Sequence, residues 1–206
     1  MSKNLRCKMS YDIHSVVGID EAGRGALAGP LAVAACLLKC DIKGVKDSKA
    51  LSGKRRAELC EQIKANASYL IMSFSHTQID EMGLSWCLRT ALLIVKAHFA
   101  GVTSEFLYDG NVNFGVSGIQ TLVKADSKVV QVGAASILAK TSRDTLMSGF
   151  NAEFDKAFKT DFARYDFPTH KGYASKAHIE AIRKYGLSSI HRRSFQLKSL
   201  EKGLFG

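Results

Sequence analysis

The sequence is poor in residues that break or staple a chain. Only two prolines, Pro30 and Pro168, occur, and no Pro-, Gly- or Ser-rich stretch reads as a linker. With 206 residues, 46% of them hydrophobic, the chain is expected to form one compact domain over residues 1–206. Its five cysteines, Cys7, Cys36, Cys40, Cys60 and Cys87, are odd in number and contain no C-x-x-C pair. That pattern excludes a zinc ribbon and offers no secreted disulfide framework. Cys36 and Cys40 fall in one apparent strand, where four residues span about 13 Å, too far for a disulfide. A reduced, cytoplasmic protein is expected. Long apolar runs are missing too: Leu31 to Leu38 is the longest, far short of the roughly 20 residues of a spanning helix. Met1 to His14 mixes Lys, Arg and Asp without an apolar core, which fits neither a secretory signal nor an anchor, so no membrane association is expected.

Acidic residues are also in short supply. Nineteen Asp and Glu face 29 Lys and Arg, a formal charge of +10 that suits a polyanionic partner such as nucleic acid without choosing DNA or RNA.

What is present is a hairpin followed by alternating strands and helices. Ser15 to Asp20 and Leu31 to Lys39 read as strands around a glycine-rich turn, and Tyr69 to Ser75 as a third. Ser52 is placed to cap a helix running to about Ala65. Thr77 to Phe99 carries a long helical stripe of Leu84, Leu88, Leu92 and Val95, with Gly101 beyond it as a stop. Glu105 to Tyr108 and Thr121 to Ala125 read as short strands. Gln131 to about Phe158 reads as mostly helical, opening on the small residues Gly133, Ala134 and Ala135, and Ser175 to Tyr185 as an amphipathic helix. The order implies an α/β fold with helices on the faces of a five-stranded sheet.

In such sheets, sites form beyond the carboxyl ends of strands. Asp20, Asp109 and Asp126 each fall at such an expected end, with Glu21 beside the first. Gathered together they would repel one another, and hard divalent ions such as Mg²⁺ or Mn²⁺ relieve that repulsion. Two ions about 4 Å apart would suit phosphodiester hydrolysis. For any one acid alone, a strand-end cap or a solvated turn is the simpler reading. Gly23-Arg24-Gly25 and Gly29-Pro30 follow the first acidic pair, and glycines let a backbone approach a sugar or phosphate. A dinucleotide-binding loop fits poorly, because Pro30 and a β-type run stand where a helix should begin. A nucleic-acid-binding module without catalysis is the other alternative, and it leaves the strand-end acids unexplained.

The string Gly18-Ile19-Asp20-Glu21-Ala22-Gly23-Arg24-Gly25 with Ala28-Gly29-Pro30 resembles the opening signature of bacterial ribonuclease HII, the type 2 ribonuclease H. The resemblance continues through Asp47-Ser48-Lys49, Tyr108-Asp109-Gly110, Lys124-Ala125-Asp126-Ser127-Lys128, Ala134 to Lys140 with Arg143-Asp144, His170-Lys171-Gly172-Tyr173 and His191 to Phe195. It implies a ribonuclease H-like mixed sheet with a C-terminal helical extension, from about residue 160 to 206, that contacts substrate. It also implies a monomer that cuts RNA in RNA/DNA hybrids and incises 5′ of single ribonucleotides in duplex DNA, leaving 5′-phosphate and 3′-hydroxyl ends. By motif, Asp20, Glu21, Asp109 and Asp126 are similar to the family's metal-binding catalytic acids, with two Mg²⁺ or Mn²⁺ ions as cofactors. Asp144 resembles a supporting acid, against the alternative of an i,i+4 pair with Lys140. Gly23, Arg24 and Gly25 resemble the loop that reads the ribose 2′-hydroxyl, and Tyr173 the tyrosine that packs on the junction sugar. Lys49, Lys128, Lys140 and Lys171 stand as phosphate contacts, with solvated lysine as the alternative.

Ala26 and Ala125 depart from the family's frequent proline and glycine, and neither change removes a ligand. His170, His178 and His191 match no compact zinc spacing and are expected to be solvated or phosphate-facing. The tail Gln196 to Leu200 with Leu204-Phe205 faintly resembles a peptide that docks on a sliding clamp, with an amphipathic end helix as the alternative.

Overall fold

A computed structural model of the chain describes residues 15–45, 51–103 and 105–195. Lys49 and the clamp-like tail therefore lie outside the described residues.

Five strands form one mixed sheet in the order β3-β2-β1-β4-β5. They are β1 (Val16–Ala22), β2 (Leu31–Leu38), β3 (Ala67–Phe74), β4 (Glu105–Asp109) and β5 (Ile119–Leu122). The first three pair antiparallel, whereas β1–β4 and β4–β5 are parallel. Interior strand β2 reads Leu-Ala-Val-Ala-Ala-Cys-Leu-Leu and is buried along its whole length, as a strand covered on both faces must be.

Strand alternation divides the core. Val17, Ile19, Val33, Phe106 and Tyr108 face one layer, built from α2 (His76–Met82) and α3 (Leu84–His98). Ala34, Cys36 and Leu38 face the other, built from α1 (Gly53–Ala65) and α4 (Val130–Gly149). Each fully buried Leu, Ile, Val or Phe in these layers contributes about 2 kcal/mol. Small residues bring α4 close to the sheet. A Cβ on Gly18 of β1 would lie 2.2 Å from the Gln131 backbone, and one on Gly133 would lie 2.8 Å from the Asp126 carbonyl oxygen. The start of α4 is thereby set directly against β1 at Gly18.

The helix boundaries follow local chemistry. Ser52 accepts the Arg55 N–H at 3.3 Å and starts α1, a cap worth about 1 kcal/mol. Ser75 and Gln78 form a reciprocal capping box at α2. The expected single helix from Thr77 to Phe99 is two helices, because Gly83 at φ 84° ends α2 and turns the chain into α3. The expected helix from Gln131 to Phe158 is likewise divided. Helix α4 stops at Gly149, and Asn151 caps α5 (Ala152–Phe158) by accepting the Glu153 and Phe154 amides.

Strand β5 lies earlier than the expected Thr121 to Ala125. The left-handed Lys124 (φ 57°) ends extended structure, and Ala125–Ser127 form a 3-10 turn. Asp126 is thus carried on that turn and not on a strand end.

The C-terminal extension packs Phe162, Tyr165, Phe167 and Ile190 around Met147 of α4 and Ala28 of the β1–β2 loop. It includes α6 (Phe167–His170) and α7 (Lys176–Tyr185), the latter capped by Ser175. Asp80 of α2 ties down its end by accepting the Arg193 and Ser194 amides at 2.8 and 3.0 Å. Cys36, Cys40, Cys60 and Cys87 are free. No described helix is long and apolar enough to cross a membrane.

Candidate active site

Register brings two carboxylates side by side. Ile19 of β1 pairs with Tyr108 of parallel β4, so one residue further along, Asp20 and Asp109 project from neighbouring strands toward the α4 face. The 3-10 turn after β5 supplies Asp126. One carboxylate oxygen from each of Asp20, Asp109 and Asp126 lies within 4.8 Å of the others. Asp20 and Asp126 are buried and Asp109 half-buried.

Neighbouring groups hold these acids. Asp20 Oδ1 accepts the Glu21 N–H at 2.7 Å, and its carboxylate is hydrogen-bonded by Ser136 of α4. Asp109 Oδ1 accepts the Ala125 N–H at 3.1 Å, which locks the 3-10 turn onto the end of β4. Burial, and after it the charge of Glu21, raises the Asp20 carboxyl well above the ordinary carboxylate value. Burial raises Asp109 as well, opposed by the Ala125 amide and reinforced by the charge of Asp126. Packed carboxylates that resist ionisation together are an all-oxygen donor set, and this set fits a hard divalent cation.

Glu21 stands apart from that trio. Strand alternation turns it to the opposite face, where its carboxylate accepts the Tyr108 hydroxyl at 2.6 Å and pairs with Arg24 at 3.5 Å. Burial raises its carboxyl, and the Tyr108 hydrogen bond and the Arg24 charge oppose the rise.

The loop between β1 and β2 lies alongside. Gly23 is buried at φ 90°, and a Cβ there would come within 2.0 Å of Arg143 Nε. Gly25 is exposed, and a Cβ there would meet nothing within 4 Å. Tyr173, 38% exposed, reaches over from the C-terminal extension and accepts the Gly23 N–H on its hydroxyl at 3.0 Å, with the Arg143 guanidinium 5.0 Å from its ring centre.

The family model described as ribonuclease HII matches residues 17–198 of this sequence. The chain belongs to the ribonuclease HII family. A ribonuclease HII from Campylobacter concisus is 55% identical over 183 residues, covering 89% of this chain and 94% of that protein. Among solved structures, the ribonuclease HII in a PCNA complex from Archaeoglobus fulgidus superposes with a TM-score of 0.71 at 25% identity, covering 89% of this chain and 96% of that one. A ribonuclease H2 from Pyrococcus horikoshii matches with a TM-score of 0.67 at 25% identity, covering 91% and 95%. The ribonuclease H-like fold and a hydrolytic nuclease of this family follow.

The remaining candidates from the sequence have definite places. Asp144 pairs with Arg56 of α1 and with Lys140, both at 3.2 Å, and joins two helices outside the carboxylate trio. Lys128 Nζ donates to the Val123 carbonyl at 2.7 Å, and Lys171 Nζ to the Pro168 carbonyl at 2.6 Å and to Ser148.

Two of the three candidate histidines, His178 and His191, are not solvated or phosphate-facing as expected, because they are buried in the C-terminal extension. Ser188 N–H donates to His191 Nδ1 at 2.9 Å, which leaves the hydrogen of His191 on Nε2 to meet His178 Nε2 at 3.0 Å. His178 Nδ1 then donates to the Tyr173 carbonyl at 2.9 Å. Two neutral rings therefore brace the backbone of the residue that overhangs the loop. Sequence reasoning gave no role to Ser136, Arg143 or Arg192; the only available signal was their presence in the matching motifs.

Proposed function

We propose that this chain hydrolyses the RNA strand of RNA/DNA hybrids and incises 5′ of single ribonucleotides embedded in duplex DNA, leaving 5′-phosphate and 3′-hydroxyl ends. The observation that carries this reading is the convergence of the Asp20, Asp109 and Asp126 carboxylates within 4.8 Å in a ribonuclease HII fold. In this reading those three acids, with Glu21, hold two Mg²⁺ or Mn²⁺ ions. When bound, such ions supply an activated water and charge stabilisation at the leaving oxygen. The protein's part is positional: Ser136 orients Asp20, the Ala125 amide orients Asp109, and the Tyr108 hydroxyl fixes the Glu21 carboxylate.

Selection of ribose falls to Gly23, Arg24, Gly25 and Tyr173. Support comes from Gly25, where nothing in the protein requires the absence of a side chain. A glycine with open space around it, in the loop that follows the Asp20-Glu21 pair, suits close approach of a substrate sugar. Residues from about 160 onward act as the substrate-contacting extension of a single monomeric domain, with Lys49, Lys128, Lys140 and Lys171 toward phosphates and Asp144 supporting the acids through α4. A sliding clamp belongs to the same reading as a partner, supported by the PCNA complex of the Archaeoglobus fulgidus relative.

The test is a labelled DNA duplex with one embedded ribonucleotide, incubated with Mg²⁺, with Mn²⁺ and with chelator. A nick 5′ of the ribonucleotide with either metal, abolished by chelator, is expected, and Asp20→Asn should lower kcat by about 100-fold or more. No nick with either ion, or an undiminished Asp20→Asn variant, overturns the reading.

A further inference from the structure

Arg143 and Arg192 are 0% and 2% exposed, the two buried guanidiniums among the described residues. No carboxylate lies within ion-pair distance of either among those residues. Burying a charge without a counter-charge is unfavourable unless oriented dipoles replace it. Here the dipoles all come from one loop. Arg143, on α4, donates from Nε to the Pro30 carbonyl at 2.9 Å and from Nη2 to the Ala28 carbonyl at 3.1 Å. Arg192, from the far end of the chain, donates from Nε to the Gly29 carbonyl at 3.0 Å and from Nη1 to the Arg24 carbonyl at 3.1 Å.

A trans peptide is planar, with its C=O and the following N–H pointing in opposite directions. Drawing the Arg24 carbonyl inward onto Arg192 therefore turns the Gly25 N–H outward, at the exposed tip of the loop. The Arg24 and Gly25 amides donate to no other backbone group among the described residues. Arg143 adds a second constraint, because it fills the space that a Cβ on Gly23 would enter and lies 5.0 Å from the Tyr173 ring centre. Each guanidinium also keeps one buried nitrogen, Arg143 Nη1 and Arg192 Nη2, with no hydrogen-bond partner among the described residues. A group placed only for stability would be fully satisfied or replaced by an apolar side chain.

We propose that Arg192 and Arg143 are positioning residues for ribose selection: Arg192 aims the Gly25 amide at the substrate, and Arg143 fixes the gap between that loop and the Tyr173 ring. This rests on the function proposed above. Lysine cannot substitute at either place, because one ammonium does not present the paired, planar donors that reach two separate carbonyls of the loop.

The variants are Arg192→Lys and Arg143→Lys, which keep the charge, each made in the Asp20→Asn background so that bound duplex stays uncut. One measurement is hydrogen exchange at the Leu27 and Gly29 amides, which donate to the Gly172 and Ile190 carbonyls at 2.8 and 2.9 Å. The other is the ratio of affinities for a DNA duplex with one ribonucleotide and an all-DNA duplex of the same sequence. The expected result is exchange faster by about tenfold or more, with the affinity ratio falling toward one while all-DNA affinity holds. A merely structural role would weaken both duplexes together. Unchanged exchange overturns the proposal, as does faster exchange with an unchanged ratio. If one variant fails to fold, the other decides. A parent with no preference for the ribonucleotide duplex overturns the proposed function instead, and faster exchange in the variants would still establish the hold of the arginines on the loop.

Discussion

Gly23 and Gly25 stand two residues apart and answer to different demands. Gly23 is required by the protein: φ is 90°, and a methyl group there would collide with Arg143 and with the Pro30 carbonyl. Gly23→Ala should cost about 2 kcal/mol or more, several degrees of melting temperature for a chain of this length. Gly25 has neither a positive φ nor a neighbour for a Cβ. Gly25→Ala should melt within about 0.5 kcal/mol of the parent yet, under the ribose-selecting role proposed for this loop, incise a ribonucleotide junction about tenfold more slowly or worse, because the added methyl would occupy the sugar's approach. Thermal melts and single-turnover incision on the two variants check this directly. If both lose only stability, or both lose only activity, the division of labour between the glycines is wrong.

At the scale of elements, the C-terminal extension is keyed by the His191–His178–Tyr173 hydrogen-bond chain, which needs both rings neutral. Burial first, and nearby histidines after it, push both imidazoles down to about 4 from an ordinary 6.5. A base whose folded pKa is depressed contributes stability that is complete above its unfolded pKa and is lost as pH falls toward the folded one. Stability should therefore decline between about pH 6.5 and pH 4, by a few kcal/mol across the pair. Denaturant titrations at stepped pH test it: His191→Gln, which offers a donor and an acceptor without titrating, should flatten the slope, and an equal slope in both proteins would refute the assignment. This pair also shows where sequence reading stopped. Strands β1 to β4 were legible because alternation and apolar runs are local. The breaks at Gly83 and Asn151 were not, because helical periodicity runs on across them. Asp109 and Asp126 could be nominated from chain order and alternation sets the face of Glu21, but the group that holds its carboxylate there, Tyr108, is 87 residues away. Buried Arg143 and Arg192 read as surface residues in any one-dimensional view, since arginine is rarely buried without a counter-charge.

For the molecule as a whole, two electrostatic features of opposite sign coexist. The chain carries a net +10, while its most confined carboxylates meet at one end of the sheet. The diffuse positive charge governs encounter with a polyanion, and its contribution falls with salt as counterions compete, by about 0.9 in log K per log salt for each phosphate neutralised on duplex DNA. The acid cluster opposes a bare phosphate and favours it only through bound cations. Asp20→Asn should accordingly bind duplex in the absence of divalent ions at least as tightly as the parent, with the same salt slope, while failing to cut. Added Mn²⁺ should raise the melting temperature of the parent by relieving repulsion among Asp20, Asp109 and Asp126, and should raise that of the variant much less. Fluorescence anisotropy across a salt series and melts with and without Mn²⁺ measure the two effects separately. A variant that binds duplex tenfold more weakly than the parent without metal would mean that Asp20 organises the binding surface itself, and the separation of holding from cutting would fail.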